Sequence, residues 1–266
     1  MGQLQGKVAF ITGASRGIGL GVARAFAAQG ATAIIASRSV TVGAAAAAAI
    51  NRDYPQGKSV FLETDVGDRA QLEQVLEQVA AEYGAVDILV NNATPAGDGQ
   101  PLRVESTDFA RIEELTTINY YASLWAMQKV FPAMKAKGSG RVINMCSLNG
   151  VNAHRFSVGY NSSKEALRAL TRTAAAEWGR YGITCNVICP AAVTEPWETY
   201  VAMAPEAAQS ILDSNPMRRL GDSEHDIGPL AVFLASDGAR YITGNTIHAD
   251  GGGHINGVPW LYDLPE

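Results

Sequence analysis

The chain has 266 residues, of which 47% are hydrophobic and 18% charged, and its formal net charge is −5. This globular composition excludes wholesale disorder, and the length suits one large α/β domain or two small ones. The acidic balance argues against nucleic-acid binding, which needs a basic surface. We find neither a long apolar run nor a signal peptide, so we expect no membrane partner and a cytoplasmic location.

The cysteines and histidines form no pattern typical of a disulfide framework or a metal site. Three cysteines are an odd and small number for a chain of this length, which favours a reducing compartment. No second Cys or His pair has ligand spacing, so we expect no metal. The residues concerned are Cys146, Cys185 and Cys189, and the scattered histidines His154, His225, His248 and His254.

Short apolar runs alternate with stretches of helical spacing along the chain. The predicted strands are 8–11, 32–36, 59–62, 86–90, 141–145 and 183–188. The predicted helices are 17–29, the alanine tract 44–49, 69–83, a long stretch ending at 136, and 159–178. Apolar strands separated by amphipathic helices are typical of a parallel sheet covered on both faces. The pattern predicts a Rossmann-type, doubly wound α/β fold, in one domain over 1–253.

Two regions depart from this alternation. Residues 194–216 are polar and helical, contain three prolines and follow a strand end, so we expect a lid there. The C-terminal tail, residues 254–266, contains Trp260 and Leu261. Exposure of such side chains to water is unfavourable, so we expect the tail to be docked, as at a subunit interface, with a frayed tail as the alternative.

A glycine-rich turn joins the first predicted strand to the first helix, in the context that gives such a motif meaning. Gly13 permits a tight turn, and Gly17 and Gly19 allow backbone N–H groups at the helix start to approach a pyrophosphate. A purely structural turn is the alternative, but it seldom needs three spaced glycines. The turn predicts dinucleotide binding by Gly13, Ser15, Arg16, Gly17, Ile18 and Gly19.

The end of the second predicted strand bears on the choice between the two nicotinamide cofactors. Dinucleotide folds often place an acid there, on the adenosine ribose, but this sequence has Ser37 and Arg38. Arg38 and Arg16 are able to fork a 2′-phosphate, which a carboxylate would repel. We therefore expect NADP (NADPH), with NAD less favoured, although one of these arginines is alternatively a solvated surface charge.

Further cofactor contacts are expected where the third and fourth predicted strands end. Asp65 and Val66 follow the third strand and are candidates to contact adenine. Asn92 and Ala93 follow the fourth strand, where small residues let the backbone approach the cofactor and a side-chain amide can tie strand ends together.

A candidate catalytic pair lies on the helix predicted at 159–178. Tyr160 and Lys164 are four residues apart and therefore share one helix face. A free tyrosine has a pKa near ~10, and a neighbouring ammonium favours the phenolate. Tyr160 can then exchange a proton with a substrate oxygen. The pair alone is weak evidence, because many helices contain this spacing by chance.

Two polar residues strengthen that interpretation. Ser147 ends the fifth predicted strand, where open α/β sheets bind ligands, and its hydroxyl can bind the same substrate oxygen. Asn119 lies on the long helix before that strand, where a buried amide can hold a water against Lys164. The predicted catalytic set is Asn119, Ser147, Tyr160 and Lys164, with Tyr160 and Lys164 also in contact with the cofactor.

In their order and spacing these motifs resemble the short-chain dehydrogenase/reductase family, from residue 7 to about residue 253. The run 91–93 and the C-terminal segments 241–244 and 250–252 share the resemblance. It implies a seven-stranded parallel sheet and an NAD(P)-dependent oxidoreductase that acts on carbonyls or secondary alcohols. It also implies a homotetramer or homodimer, and hydride transfer between the nicotinamide and the carbonyl carbon.

The resemblance implies a role for each residue of the catalytic set. Tyr160 is the general acid/base, Ser147 orients the substrate, and Lys164 holds the ribose hydroxyls and tunes Tyr160. Asn119 supports a proton relay.

The sequence departs from the family pattern at Thr94, where a glycine is common, and at Ala191, which replaces the glycine of a Pro-Gly pair. These departures fall where the resemblance implies contacts with the nicotinamide. We expect such contacts at Pro190, Val193 and Thr194.

Substrate contacts are expected at Ser147, Asn149, His154, Tyr160 and Trp197. For His154 the alternative is an exposed loop histidine, and for Trp197 it is simple packing of the lid. Trp197 and Tyr200 favour an apolar or ring-bearing substrate.

The leading functional hypothesis is NADPH-dependent interconversion of a ketone and a secondary alcohol. A second enzymatic hypothesis is reduction of a 3-oxoacyl thioester on an acidic carrier protein, which needs a basic docking patch. A non-catalytic NADPH-binding sensor is the third, and the complete catalytic set argues against it. The basic residues available for docking are Lys135, Lys137, Arg172 and Arg180.

Overall fold

The computed structural model describes residues 2–95 and 103–255. Its strands are β1 (Val8–Thr12), β2 (Thr32–Ser37), β3 (Lys58–Glu63), β4 (Ile88–Asn91), β5 (Gly140–Met145), β6 (Ile183–Pro190) and β7 (Thr246–Ala249). They form one parallel sheet in the order β3-β2-β1-β4-β5-β6-β7. From β1 the sheet grows to one side through β2 and β3, and from β4 it grows to the other side through β5, β6 and β7. This change in strand order between β1 and β4 confirms the predicted doubly wound fold.

Helices connect the strands and cover both faces of the sheet. They are α1 (Gly17–Ala28), α2 (Val40–Asp53), α3 (Arg69–Glu82), α4 (Phe109–Thr116), α5 (Ala122–Lys137), α6 (Leu148–Val151), α7 (Val158–Trp178), α8 (Glu195–Met203), α9 (Pro205–Ser214) and α10 (Gly228–Ala235). Helices α1, α2 and α10 pack on one face, and α3, α5 and α7 on the other.

The central strand β1 shows why the strands read as apolar runs. All five of its residues are buried. Ala9 and Ile11 join the core beneath α1, whereas Val8 and Phe10 join the core beneath α3 and α5. A strand covered on both faces has no solvent side, so it does not alternate apolar with polar residues. Burying a side chain as large as Phe10 contributes roughly 1.5–3 kcal/mol.

The alanine tract forms part of α2, whose small residues allow close packing on the sheet. Ala46 and Ala47 are buried, and a Cβ atom at Gly43 would overlap the ring of Phe61 on β3. Small side chains on this helix face are therefore required for close packing on the sheet. The high helix propensity of alanine does not by itself explain them.

The long helix predicted to end at 136 is interrupted. A π-helical turn, Thr117–Tyr121, separates α4 from α5, and Asn119 lies within it. Such turns widen the helix locally and occur frequently at functional sites. The wide turn places Asn119 against α7, which carries Tyr160 and Lys164.

The region predicted as a lid contains helices α8 and α9. Pro196 and Pro205 lie in the first turns of these helices, where a missing N–H costs nothing, and Pro216 follows the end of α9. Of the tail, only His254 and Ile255 are described, so the predicted docking of 256–266 lies outside the described residues. Across the described ranges, the longest helices are not apolar enough to cross a bilayer.

Candidate active site

The glycine turn presents the start of α1 in a form suited to a phosphate. Gly13 and Gly17 have φ angles of +66° and +55°, which L side chains adopt only with strain. Among the described residues, no side chain caps α1, and its first turn holds no acid. The free N–H groups and the positive end of the helix dipole therefore fit a pyrophosphate. Ser15 is buried in this turn, and Ile18 packs partly against the core.

Gly19 meets a packing requirement in addition to the one that its position in the motif indicates. A Cβ atom there would lie 2.5 Å from Asn92 Nδ2 and 2.7 Å from the Gly13 carbonyl oxygen. Its missing side chain is therefore needed for α1 to pack against the residue that follows β4. Asn92 Nδ2 in turn donates to the Thr12 carbonyl at 2.9 Å and to the Gly13 carbonyl at 3.3 Å.

Buried amides tie the carboxyl ends of the central strands together. Thr12 Oγ1 accepts hydrogen bonds from the backbone N–H groups of Asn92, at 2.9 Å, and Ala93, at 3.0 Å. Asn91 Nδ2 donates to Asn144 Oδ1 at 2.7 Å, which joins β4 to β5. Thr12 carries no motif signature, and the sequence analysis missed it.

The end of β2 carries a hydroxyl suited to an additional acceptor or donor. Ser37 is buried, and its Oγ has no hydrogen-bond partner among the described residues. Leaving a buried hydroxyl unpaired costs about 1–3 kcal/mol. A ligand that forms a hydrogen bond with it recovers part of this free energy on binding. Arg38, the next residue, is exposed. This pair fits a phosphorylated ribose.

Arg16 forms an ion pair with a residue of α8. Its Nη1 lies 2.8 Å from Glu195 Oε2 at the first residue of α8, and both side chains are more than half exposed. The two arginines of the predicted phosphate fork therefore do not share one partner, because Arg16 is paired with Glu195 of α8.

In the turn after β3, the Asp65 side chain lies partly at the surface and the Val66 side chain lies in the core. Asp65 Oδ1 accepts a hydrogen bond from the Gly67 N–H at 2.9 Å, which fixes the turn and leaves the half-buried carboxylate at its surface. Val66 is buried and packs in the core with α3 and α5. Its side chain supports the turn, so an adenine contact at this position falls to its backbone.

Tyr160 and Lys164 lie on one face of α7, as the spacing predicts. Lys164 is 3% exposed, and its Nζ donates to the Met145 carbonyl oxygen at 3.0 Å. The same Nζ lies 5.6 Å from the centre of the Tyr160 ring. The two side chains are thus neighbours on α7, as the proposed tyrosine and lysine pair requires.

Asn119 reaches the same helix from the π-helical turn. Its Nδ2 donates to Ser163 Oγ at 3.0 Å, and Ser163 directly precedes Lys164. The side chain is 1% exposed, and its Oδ1 has no partner within the described part of the chain. A buried carbonyl oxygen is rarely left unpaired. A water at this oxygen fits the predicted relay.

Ser147 follows β5 and caps the short helix α6. Its Oγ accepts a hydrogen bond from the Asn149 N–H at 3.1 Å. A hydroxyl that accepts still has its own hydrogen to donate, so Ser147 can bind a substrate oxygen while it holds α6.

The loop between α6 and α7 is strained and held by backbone contacts. Ala153 and Phe156 have φ angles of +51° and +69°, and non-glycine residues in that region cluster at functional sites. The His154 N–H donates to the Asn149 carbonyl at 2.8 Å, and Asn161 Nδ2 donates to the His154 carbonyl at 2.8 Å. The His154 side chain is exposed. These contacts use its backbone, which favours the loop alternative over a substrate contact.

The segment between β6 and α8, the start of the predicted lid, lies against the glycine turn. A Cβ atom on Gly17 would lie 3.7 Å from Thr194 Cγ2. Val193 is exposed, and Pro190 ends β6 in a half-buried position. Trp197 is half-buried, and its ring centre lies 5.8 Å from that of Tyr200. Packing within the lid thus accounts for part of the Trp197 surface.

The structure brings together two histidines that are separate in the sequence. The rings of His248 and His254 stack with centres 4.3 Å apart, and His254 Nδ1 lies 2.9 Å from Asp250 Oδ1. Burial, and then the neighbouring His254, lower the pKa of His248. Over residues 2–95 and 103–255, no three His, Cys, Asp or Glu side chains are grouped to hold a metal ion.

Cys146, next to Ser147, is a core residue. It is 4% exposed, and burial raises the pKa of its thiol to about 12. The thiol is therefore protonated at neutral pH and is not a nucleophile there.

Comparisons with known proteins agree with this geometry. A family model described as Enoyl-(Acyl carrier protein) reductase matches residues 13–254. The chain is 34% identical over 259 residues to 12alpha-hydroxysteroid dehydrogenase of Clostridium sp., across 95% of this chain and 98% of that protein. It is 38% identical over 261 residues to galactitol 2-dehydrogenase of Agrobacterium fabrum, across 94% and 98%. It is 36% identical over 249 residues to 3-oxoacyl-(acyl-carrier-protein) reductase FabG of Escherichia coli, across 93% and 97%.

Solved structures show the same fold. The crystal structure of levodione reductase matches with a TM-score of 0.89 and 31% identity, across 95% of this chain and 99% of that chain. A candidate NAD(P)-dependent gluconate 5-dehydrogenase from Beutenbergia cavernae, with NADP bound at low occupancy, matches with a TM-score of 0.87 and 32% identity, across 95% and 98%. The chain belongs to the short-chain dehydrogenase/reductase family, as its motifs predicted, and is an NAD(P)-dependent oxidoreductase that interconverts alcohols and carbonyl compounds.

Proposed function

We propose that this enzyme uses NADPH to reduce a ketone, or NADP to oxidise the matching secondary alcohol, with Tyr160 as the general acid/base. The observation that carries the proposal is the buried arrangement on α7. Lys164 Nζ lies 5.6 Å from the Tyr160 ring, and Asn119 binds Ser163 beside it with an unpaired Oδ1 among the described residues. A module that only binds NADPH needs no such proton-transfer arrangement.

When bound at this site, NADPH would supply the hydride for the carbonyl carbon. Ser147 donates a hydrogen bond to the substrate oxygen, which fixes its position. Tyr160 gives its proton to the same oxygen as negative charge develops there, and the Lys164 ammonium stabilises the phenolate that remains. Asn119 holds a water through its Oδ1, and this water restores the proton from solvent. In the oxidation direction the same groups act in reverse.

The preference for NADPH rests on the end of β2. Ser37 and Arg38 stand where an acid would select NAD, and the buried Ser37 Oγ has no partner among the described residues. A 2′-phosphate offers acceptors to both side chains. The candidate gluconate 5-dehydrogenase, 32% identical to this chain, was crystallised with NADP. Its cofactor supports the proposal without fixing the preference here.

The carrier-protein alternative is disfavoured by the position of the basic residues. Lys135 and Lys137 end α5 just before the amino end of β5, and Arg180 precedes the amino end of β6. Ser147 follows the carboxyl end of β5. Lys135, Lys137 and Arg180 therefore lie at the opposite end of the strands from Ser147, whereas Arg172 lies on α7, the helix that carries Tyr160.

Nicotinamide absorbance, followed with a panel of linear, cyclic and aryl ketones and one 3-oxoacyl thioester, tests the proposal. We expect turnover of a ketone and a higher kcat/KM with NADPH than with NADH. Turnover of the thioester alone would favour the alternative, and a clear NADH preference would contradict the assignment at Ser37 and Arg38.

The small-molecule partner follows from this activity. The Trp197 and Tyr200 rings at the lid favour an apolar or ring-bearing ketone. We propose a homotetramer or homodimer as the assembly and the cytoplasm as its location, both of which rest on the family resemblance and composition. Mass measurement in solution checks the assembly.

A further inference from the structure

We propose that Glu195, the first residue of α8, competes with the 2′-phosphate of NADPH for Arg16 and so reduces the discrimination between NADPH and NADH. The inference rests on the proposed NADPH preference. It means that a residue of α8, outside the glycine turn, also influences the choice between NADPH and NADH.

The ion pair joins the two segments that would enclose the cofactor. Arg16 Nη1 lies 2.8 Å from Glu195 Oε2, although the residues are 179 positions apart in the sequence. Thr194, next to Glu195, lies against Gly17 of the glycine turn. Glu195 is therefore held within reach of Arg16 by the base of the lid, and not by a chance extension of a distant side chain.

The order of the strands prevents Arg16 from serving both acids in one position. Arg16 follows β1, the strand between β2 and β4. The 2′-phosphate is expected over the end of β2, beside Ser37 and Arg38. The segment that carries Glu195 follows β6, which lies on the other side of β1 beyond β4 and β5. Arg16 must turn away from the lid in order to reach the phosphate.

The strength of the pair allows this exchange. Both side chains are more than half exposed, at 55% for Arg16 and 62% for Glu195, and ion pairs in water are weak. A phosphate carries more charge than a carboxylate and offers more acceptor oxygens, so it can displace Glu195.

The cost of breaking the pair falls on one cofactor only. NADPH must separate Arg16 from Glu195 to gain its contact, whereas NADH has no 2′-phosphate and leaves the pair intact. Removal of the Glu195 charge therefore strengthens NADPH binding and leaves NADH binding as it is. The same step frees the first turn of α8 whenever NADPH binds.

Titration calorimetry of the full-length protein with NADPH and with NADH tests this inference. We expect Glu195→Gln to lower the Kd of NADPH by about two- to fivefold, the range for a weak exposed pair, with no change for NADH. The matched control is Glu198→Gln, which removes the same charge one turn later on α8. Glu198 is exposed and has no ion pair within the described residues. We expect it to leave both Kd values unchanged.

A double-mutant cycle completes the test. In an Arg16→Gln background, Glu195→Gln is expected to have no effect on NADPH, because the competing partner is gone. An equal effect of the two glutamate variants, or a weaker NADPH complex with Glu195→Gln, would overturn the inference. If Arg16→Gln and Arg38→Gln weaken NADPH no more than NADH, the proposed cofactor preference itself fails, whatever Glu195 does. Thermal melting of each variant confirms that it is folded.

Discussion

The candidate site has a buried half, made of the Asn119 and Lys164 side chains behind Tyr160, and an exposed half, made of Arg16 and Arg38. Asn119 is 1% exposed and Lys164 is 3% exposed, and both are hydrogen-bonded to neighbouring elements. In the exposed half, Arg38 lies at the surface, and within the described residues Arg16 is held only by its exposed pair with Glu195.

The difference in burial determines how each half responds to a ligand. Polar groups buried in a low-dielectric interior are costly to leave unpaired, so their positions are fixed before substrate arrives. Charges in water interact weakly and are screened by salt, so they adjust to the ligand. We therefore expect large effects of substitution in the buried half and graded, salt-dependent effects in the exposed half.

The largest effect is expected at Tyr160. Tyr160→Phe removes the acid/base hydroxyl and keeps the ring beside Lys164. We expect turnover to fall by about 10²–10⁴, the range for loss of a general acid, while the Kd of NADPH stays near its original value. Steady-state rates and calorimetry on the same preparation measure both. Turnover equal to that of the unmodified enzyme would show that the proton comes from another group.

A substitution at Gly19 tests whether the close packing of α1 against Asn92 contributes to stability. Gly19→Ala would place a Cβ 2.5 Å from Asn92 Nδ2 and 2.7 Å from the Gly13 carbonyl, so we expect a loss of about 1–3 kcal/mol in the free energy of unfolding. Urea denaturation measures it. Gly179→Ala is the matched control, since its φ is −54° and a Cβ there meets no atom of the described chain within 4 Å. An equal loss in both variants would mean that the packing against Asn92 is not the cause.

Arg38 tests the exposed half. We expect Arg38→Gln to raise the Kd of NADPH roughly three- to tenfold at low salt, with little change for NADH. The difference should shrink as NaCl is added, because screening shortens the reach of the charge. Arg52→Gln, at the far end of α2, removes the same charge and should leave both Kd values alone. A salt-independent loss would place Arg38 in a buried contact instead.

The smallest effect is expected at the thiols. Burial raises the pKa of Cys146 and Cys185 to about 12, so both are protonated at neutral pH. N-ethylmaleimide should leave the native enzyme active and label these thiols only after unfolding in guanidinium. Rapid labelling of the native protein with loss of activity would mean that Cys146 is accessible beside Ser147.

Much of the fold could be predicted from the sequence, because the central strands are buried on both faces and therefore appear as apolar runs. β6, predicted to end at 188, extends to Pro190, and β4 begins at Ile88 where 86 was predicted. The break in the long helix was missed, because the π-helical turn at Thr117–Tyr121 leaves the apolar spacing nearly continuous.

The missed contacts of the site depend on tertiary structure. Gly251 and Gly252, with φ angles of +65° and +89°, turn the chain so that His254 stacks on His248. The pair of Arg16 with Glu195 depends on where the segment after β6 crosses the glycine turn. Neither contact has a sequence pattern of its own, whereas the Tyr160 and Lys164 pair follows from helical spacing alone.

The most direct test of the contrast between the two halves is a crystal structure of the enzyme with NADPH. In the buried half we expect the hydrogen bond from Asn119 to Ser163 to be kept. In the exposed half we expect Arg16 to leave Glu195, and we expect the 2′-phosphate to contact Arg38 and the buried Ser37 Oγ beside it. A complex in which Asn119 has separated from Ser163, or in which the phosphate contacts neither Ser37 nor Arg38, would contradict this account.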